Sequence, residues 1–382
     1  MSNAWIDDLT CAALRGESSV WPPVGSDDEA AFIGQADYHG VSALLTERLP
    51  QLTSWPAGVR EGVGARARAQ TFWELRHQPL IAEVLARLGE RGIEPVLFKG
   101  TALAYGLYRN PVWRARGDTD MIVAPHDWNT AAQALEALGF QRSAGVSGEF
   151  VSYQASFTRD IGGGAHTIDL HRRINNSELL SRLFSYDELR AGAVPLPALC
   201  PGAVAAGPVD ALLLACVHRS THKHNPYTVD GIDFYGADRL IWLYDIHLLG
   251  QSFAPSQWQD TVGTALAKGL AATTLAGIER AESYFGTPNR GSCPDDVRRA
   301  LARSGEPVAA YLAAGRLRQS WLDFLAIEGG KDRLRFIREL VFPPADYMRT
   351  KYADAHPAWL PWLYARRGAE GLAKRLGRHQ SQ

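Results

Sequence analysis

The first 91 residues follow a helical pattern of apolar and polar positions. Near the end of a long segment, apolar side chains recur at the spacing of three and four residues that places them on one helix face. They are Leu80, Ile81, Val84, Leu85 and Leu88. Gly92 follows, and glycine commonly ends a helix. The pattern predicts a long helix over 59–91 and, with shorter amphipathic segments before it, a helical N-terminal region over 1–91.

Between residues 92 and 175 the pattern changes to short apolar runs of strand length. The runs 96–98 and 121–123 are separated by a helical segment rich in small residues. Polar and apolar positions then alternate over 149–158 and 165–174, which is the period of strands with one buried face. Strands mixed with helices over so short a length predict a small mixed β-sheet, so the predicted fold class is α+β.

The remainder of the chain is again helical in pattern. A strong helix is predicted over 209–222, after a proline-rich crossing at 194–208. The chain is therefore divided into three parts. They are an N-terminal helical region at 1–91, a mixed α/β core at 92–175 and a C-terminal helical region at 176–382.

Two aspartates stand at the start of the second apolar run. Side chains two residues apart on a strand share a face, so Asp118 and Asp120 project together. Two carboxylates held close together repel each other unless a cation lies between them, and Mg²⁺ suits such oxygen ligands. Acidic pairs also arise by chance, so the surroundings decide. A Gly100-Thr101 turn leading into a helix offers backbone N–H groups to a phosphate, and Lys99 immediately precedes it.

A third carboxylate lies on the last strand predicted in the core. Asp169 faces away from the apolar Ile168 and Leu170. An isolated acid on such a strand is more often a surface residue, but its place after a glycine turn and an aspartate pair makes Asp169 a candidate metal ligand. Arg116, just before the aspartate pair, is a further candidate for offsetting phosphate charge.

These residues resemble the nucleotidyltransferase superfamily typified by DNA polymerase β. More narrowly, they are similar to a family of bacterial proteins known only as uncharacterised nucleotidyltransferases. The matching positions are 99–104, Leu107, Tyr108, Pro111, Arg116, 118–120 and 169–171. The similarity extends to 239–246 and to 334–352. Thr119 departs from the pattern, because the superfamily usually has an apolar residue between the two aspartates.

The resemblance implies a nucleotidyl transfer from an NTP to a hydroxyl or similar acceptor, with Mg²⁺ or Mn²⁺ as cofactor. The catalytic carboxylates, which would also be the metal ligands, are Asp118, Asp120 and Asp169. The nucleotide-binding residues would be Lys99, Gly100, Thr101 and Arg116. The C-terminal helices would shape the acceptor pocket.

The candidate acceptor-pocket residues are three histidines, His171, His218 and His222. His218 and His222 lie one helical turn apart, a spacing that can clasp a metal ion. No glutamate-bearing zincin motif accompanies them, so a hydrogen-bonded polar edge beside the cleft is the favoured interpretation. Asp245, on the next predicted helix, is expected to orient a histidine or an arginine.

The net charge and the cysteine content limit the expected classes of binding partner and the expected location. The net charge of −1 provides no overall field towards nucleic acid or anionic membrane, so a small molecule, sugar or peptide acceptor is favoured over RNA. The four cysteines are scattered without disulfide or zinc spacing, which predicts reduced thiols and a cytoplasmic location. The N-terminal residues are not expected to form a signal peptide, and no segment is expected to span a bilayer.

Two alternatives remain open on the sequence. One is a phosphotransferase or a toxin-like tRNA-modifying enzyme, which would use the same nucleotide and metal on the same scaffold. The other is a non-catalytic nucleotide-binding adaptor. The presence of all three carboxylates argues against the adaptor, because a degenerate site need not keep them.

Overall fold

The N-terminal region is helical, as the sequence pattern predicts. The protein is described from a computed structural model, and the described residues are 4–23, 25–143, 148–162, 164–224, 227–229, 232–234, 238–286, 293–352 and 359–376. The first helices are α1 (Ala4–Arg15), α2 (Ser26–Tyr38), α3 (Ser42–Leu45) and α4 (Ala57–Gly89). The bounds of α4 confirm the predicted long helix to within two residues at each end.

The central part contains strands and helices in alternation. In chain order its elements are β1 (Val96–Phe98), α5 (Lys99–Gly106), β2 (Asp118–Ile122), α6 (Trp128–Ala137), β3 (Gln141–Arg142), β4 (Gln154–Asp160) and β5 (Ala165–His171). Single 3₁₀ turns at Pro111–Trp113 and Pro125–Asp127 flank β2. The short strand β3 was not anticipated from the sequence.

The last part is mainly helical. In chain order its elements are α7 (Glu178–Ser181), α8 (Tyr186–Ala191), β6 (Val194–Pro195), β7 (Val204–Ala205), α9 (Pro208–His224), β8 (Tyr227–Val229), β9 (Ile232–Phe234), α10 (Leu240–Ser252), α11 (Pro255–Lys268), α12 (Ala271–Phe285), α13 (Asp295–Leu301), α14 (Pro307–Leu312), α15 (Arg316–Ala326), α16 (Gly330–Val341), α17 (Ala345–Lys351) and α18 (Leu360–Leu376). None of the described helices is long and apolar enough to cross a membrane.

Within the described residues, seven strands form one mixed sheet in the order β3-β4-β5-β2-β1-β7-β6. The pairs β2–β5 and β1–β7 are parallel, and the other neighbours are antiparallel. A mixed sheet among helices confirms the predicted α+β class. The crossing at 194–208 contributes two strands to this sheet, which its proline content did not reveal.

Alternate residues of the central strands face different apolar clusters. Phe98 and Ile122 belong to a cluster that also contains core residues of the N-terminal and C-terminal helices. Leu97 and Met121 belong to a second cluster on the other face, against α4 and α6. Because side chains alternate along a strand, Asp120 shares its face with Ile122, on the side of the C-terminal helices. That alternation decides where the acidic residues point.

Candidate metal and nucleotide site

Three carboxylates reach one cleft from two neighbouring strands. β2 and β5 pair in parallel, which places Asp120 directly opposite Asp169 and Asp118 opposite Thr167. Asp118, Asp120 and Asp169 all line the same cleft. The structure therefore brings the three predicted acids together through strand register alone.

Two of these acids and a histidine beside the cleft form a close group of potential ligand atoms. A carboxylate oxygen of Asp120, one of Asp169 and a ring nitrogen of His171 all lie within 4.8 Å of one another. Carboxylate oxygens suit Mg²⁺ and Mn²⁺. The two carboxylates thus fit a divalent ion, although Asp118 lies outside this group of atoms.

The carboxylates differ in their electrostatic surroundings. Burial, together with the charges of Asp120 and Asp169, raises the pKa of Asp118 to about 7. Burial alone would also raise the pKa of Asp120, but the Lys99 ammonium and a hydrogen bond from His171 hold it below its ordinary value. Asp120 is therefore already compensated, whereas Asp118 carries repulsion that a cation would relieve.

Lys99 lies at the junction of β1 and α5 and contacts Asp120 directly. Its Nζ atom donates to Oδ1 of Asp120 at 2.6 Å. Its φ angle is +59°, and no other described residue besides glycine has a positive φ. Residues other than glycine rarely adopt this backbone conformation without strain. Burial by itself would lower the pKa of Lys99, but the neighbouring Asp120 carboxylate more than offsets this effect. The pKa of Lys99 is therefore raised, and the ammonium stays charged.

His171 contacts the same oxygen of Asp120 as Lys99 does. Its Nε2 atom donates to Oδ1 of Asp120 at 2.9 Å, and its ring packs edge-on against Phe98. The side chain is buried and does not line the cleft. Of the three predicted acceptor-pocket histidines, the structure therefore places His171 behind the carboxylates, as a positioning residue for Asp120.

A chain of hydrogen bonds passes through Thr119, between the two aspartates. Arg116 can only donate, and its Nε atom lies 2.9 Å from the hydroxyl of Thr101. The Thr101 hydroxyl lies 2.8 Å from that of Thr119, which in turn lies 2.7 Å from Nε2 of His77. Nδ1 of His77 then lies 3.1 Å from Nδ1 of His166. This chain gives the buried hydroxyl of Thr119 two hydrogen-bond partners, Thr101 and His77.

The guanidinium of Arg116 is engaged in a buried ion pair. It donates to Oε1 of Glu74 on α4 at 2.7 Å, and Tyr105 donates to the same oxygen at 2.6 Å. Both side chains of the ion pair are almost fully buried. Contact between Arg116 and a phosphate would require this ion pair to open, so in this structure Arg116 holds the Thr101 turn in place.

Asp169 is held by the neighbouring strand β4. Ser156 donates to Oδ1 of Asp169 at 2.5 Å, and the side-chain amide of Gln154 donates to Oδ2 at 3.2 Å. These contacts follow from the antiparallel register, in which Ser156 lies opposite Asp169. They orient the carboxylate towards the cleft.

The cleft has a volume of about 510 Å³ and separates the sheet from the C-terminal helices. His218 and His222 on α9 and Trp242 on α10 form part of its far wall. The rings of His218 and His222 lie 4.6 Å apart between centroids, and that of His218 lies 5.0 Å from Trp242. Burial and the charges of His222 and Lys99 lower the pKa of His218, so its imidazole is neutral at pH 7.

Asp245 orients an arginine, as expected from the sequence. Nε of Arg114 lies 2.9 Å from each carboxylate oxygen of Asp245, and Tyr108 donates to Oδ1 at 2.7 Å. Arg114 and Asp245 both line the cleft. The prediction that Asp245 positions a histidine or an arginine is confirmed for Arg114.

Comparison with known protein families decides where the chain belongs. The family described as "Uncharacterised nucleotidyltransferase" matches residues 25–286, more than half of the chain. The chain belongs to this family. The resemblance found from the sequence is thereby confirmed within these residues, whereas the similarity at 334–352 lies beyond the match. No curated protein and no solved structure matches this nucleotidyltransferase-family chain.

Other residues of the cleft could not be identified from the sequence. The loop 174–177 after β5 and residues Tyr311, Leu312 and Gln319 of the late helices also line the cleft. The Asn175-Asn176 pair at the end of a strand is a weak signal that could have indicated the loop. For the late helices the sequence offers no signal, because their position depends on contacts with distant segments.

Proposed function

We propose that the protein transfers a nucleotidyl group from an NTP, with Mg²⁺ or Mn²⁺, to a small hydroxyl-bearing acceptor. The observation that carries the proposal is the parallel register that sets Asp120 against Asp169, with Asp118 on the same cleft. Asp118, Asp120 and Asp169 would hold the divalent ions. When bound, such ions neutralise phosphate charge and make the attacking hydroxyl more acidic.

The nucleotide would bind at the start of α5. Lys99 and Gly100 line the cleft there, and the first N–H groups of a helix suit a phosphate. A Cβ atom at Gly100 would lie in ordinary contact with Cδ of Arg116, at 3.4 Å, and would occupy space beside the start of α5. The Thr101 side chain, held by Arg116, would keep this turn in place while Lys99 offsets charge on the departing pyrophosphate.

The acceptor would lie between the carboxylates and the helical wall. Asp169 is the carboxylate proposed to accept the proton of the attacking hydroxyl, and Ser156 and Gln154 keep it oriented. His218 and His222 provide neutral polar groups on the far wall, beside Trp242. A cleft of about 510 Å³ with neutral imidazoles favours a small molecule, sugar or peptide end over RNA.

The test is product analysis with the purified protein. Each NTP with Mg²⁺ is incubated with panels of small molecules, sugars, peptides and tRNA, and pyrophosphate and nucleotide-linked products are measured by mass spectrometry. Pyrophosphate and a nucleotidyl adduct are expected from the wild type and not from Asp169→Asn. Asp187→Asn, on the exposed side of α8, is the matched control and should stay active.

Two results would contradict the proposal. A phosphorylated acceptor together with a nucleoside diphosphate would assign the site to phosphoryl transfer. Tight binding of nucleotide without turnover of any acceptor class would favour the adaptor.

A further inference from the structure

The carboxylate of Asp120 already accepts hydrogen bonds from two side chains without a divalent ion. Its Oδ1 atom accepts from Lys99 at 2.6 Å and from His171 at 2.9 Å. The same carboxylate belongs to the group of ligand atoms that lie within 4.8 Å of one another. An ion bound by Asp120 and Asp169 would therefore lie close to the Lys99 ammonium.

Two cations on one carboxylate repel each other strongly in a partly buried site. Lys99 is held there by a 2.6 Å ion pair and by a backbone conformation with a φ angle of +59°. Its side chain is 23% exposed and therefore has access to the cleft. A flexible four-carbon stem allows the ammonium to move without displacing the strand.

We propose that Lys99 and the divalent ion are alternative partners of Asp120, so that nucleotide phosphates draw Lys99 away and open the carboxylate to the ion. This inference rests on the proposed function of the same site. Lys99 and Gly100 both lie at the start of α5, where the phosphates would bind, so the ammonium has a second anionic partner within reach. Lys99 then makes binding of the ion conditional on the nucleotide.

The inference has a thermodynamic consequence. If nucleotide relieves competition at Asp120, nucleotide and ion must strengthen each other's binding by the same factor. Phosphate oxygens also bind the ion directly, so some coupling persists without Lys99. The part of the coupling that depends on Lys99 measures the exchange of Lys99 for the divalent ion at Asp120.

The experiment compares the wild type with Lys99→Met, which keeps the length of the side chain and removes its charge. Mn²⁺ binding is measured by calorimetry and by electron paramagnetic resonance, with and without a non-hydrolysable NTP analogue. Without nucleotide, Lys99→Met should bind Mn²⁺ at least about tenfold more tightly than the wild type. The increase in Mn²⁺ affinity caused by the analogue should be smaller in the variant.

Two further variants complete the test. Lys331→Met removes an equal charge from an exposed position on α16 and should leave Mn²⁺ affinity unchanged. Lys99→Gly suits a positive φ angle, so it should fold and reproduce the tighter Mn²⁺ binding even if the methionine variant does not fold.

The outcomes separate this inference from the proposed function. Equal Mn²⁺ affinity in the wild type and the Lys99 variants would overturn the exchange, while leaving the metal-dependent reaction standing. Absence of Mn²⁺ binding in every protein, with and without the analogue, would overturn both. Tighter binding in the variants with unchanged nucleotide coupling would also overturn the exchange, because Lys99 would then act only as a fixed charge.

Discussion

At the level of single residues, Asp118 and Asp120 lie two positions apart and yet have opposite surroundings. Burial and two neighbouring carboxylates raise the pKa of Asp118, whereas Lys99 and His171 compensate the charge of Asp120. The two-residue spacing in the sequence does not distinguish the two aspartates and predicts two equivalent ligands. Their substitution should therefore separate a residue under electrostatic repulsion from one that holds other side chains.

In EDTA at pH 8, Asp118→Asn should raise the free energy of unfolding by about 1 kcal/mol, because it removes repulsion. Asp120→Asn should lower it by about 1–3 kcal/mol, because Lys99 and His171 lose a charged partner. Both variants should lose nucleotidyl transfer. Chemical denaturation measures the stabilities, and equal destabilisation by both would contradict the assignment.

Gly100 provides a second test at this scale. A Cβ atom there would meet Cδ of Arg116 at 3.4 Å, which is ordinary contact, so Gly100→Ala should fold normally. The added methyl group would occupy space beside the start of α5, and nucleotide affinity should fall at least about tenfold. Calorimetry with an NTP analogue measures this change.

The matched control for Gly100→Ala is Gly263→Ala on α11. No atom lies within 4 Å of a Cβ atom at Gly263, and the position is exposed. Its nucleotide affinity should equal that of the wild type. Unchanged affinity in Gly100→Ala would show that the turn does not approach the phosphates.

At the level of elements, α4 is joined to the sheet by stacked aromatic rings and paired histidines. Trp73 stacks on His77 with centroids 4.1 Å apart, and His77 is bonded to both His166 on β5 and Thr119 on β2. Burial lowers the pKa of both histidines. This junction supports the strands that carry the acids, from the face opposite the cleft.

The histidine junction predicts a loss of stability in acid. Since the folded-state pKa of each ring lies below the unfolded value of about 6.5, the unfolded chain binds protons first as the pH falls. The stabilising contribution is complete above pH 6.5 and decreases below it, by about 1–3 kcal/mol between pH 7 and 5. The double variant His77→Gln, His166→Gln should show a flatter dependence than the wild type.

Equilibrium denaturation at several pH values measures this dependence. His126→Gln, whose side chain is 83% exposed, is the control and should retain the wild-type slope. An identical slope in the double variant would show that other groups cause the acid sensitivity.

At the level of the whole molecule, the cleft is completed by helices beyond the part of the chain that matches the family. The family match ends at residue 286, whereas Tyr311 and Gln319 line the cleft. Asp323 fixes α15 to the core, because it accepts hydrogen bonds from the Ser177 hydroxyl at 2.7 Å and from Tyr311 at 2.8 Å. The α14–α15 side of the cleft is therefore joined to the core by polar contacts between distant segments, in addition to the apolar packing of Tyr311 and Leu312.

Asp323→Ala should loosen the attachment of α14 and α15 to the core without altering the three carboxylates. Hydrogen exchange should become faster in residues 311–326, because the anchoring bonds to the α7 start are lost. Mn²⁺ affinity should remain that of the wild type. Asp332→Ala, at an exposed position on α16, is the control. If exchange in residues 311–326 became faster to the same extent in Asp332→Ala, the anchoring role of Asp323 would be contradicted.

The sequence by itself determined much of the fold and the identity of the candidate ligands. Apolar periodicity located α4 and the central strands, and a spacing of two placed Asp118 and Asp120 on one face. These are local properties, set by the geometry of a single helix or strand. The order of glycine turn, aspartate pair and third aspartate was sufficient to indicate the family.

Only the tertiary structure decided which partner each of these residues has. Thr119 and His77 are 42 positions apart, and His77 and His166 are 89 apart, yet they form one hydrogen-bond chain. No local pattern encodes such a contact, since it depends on the register of β2 with β5 and on the packing of α4. For the same reason, the ion pair of Arg116 with Glu74 could not be read from the sequence. Charge and residue type define what a side chain is able to bind, whereas long-range packing selects the partner.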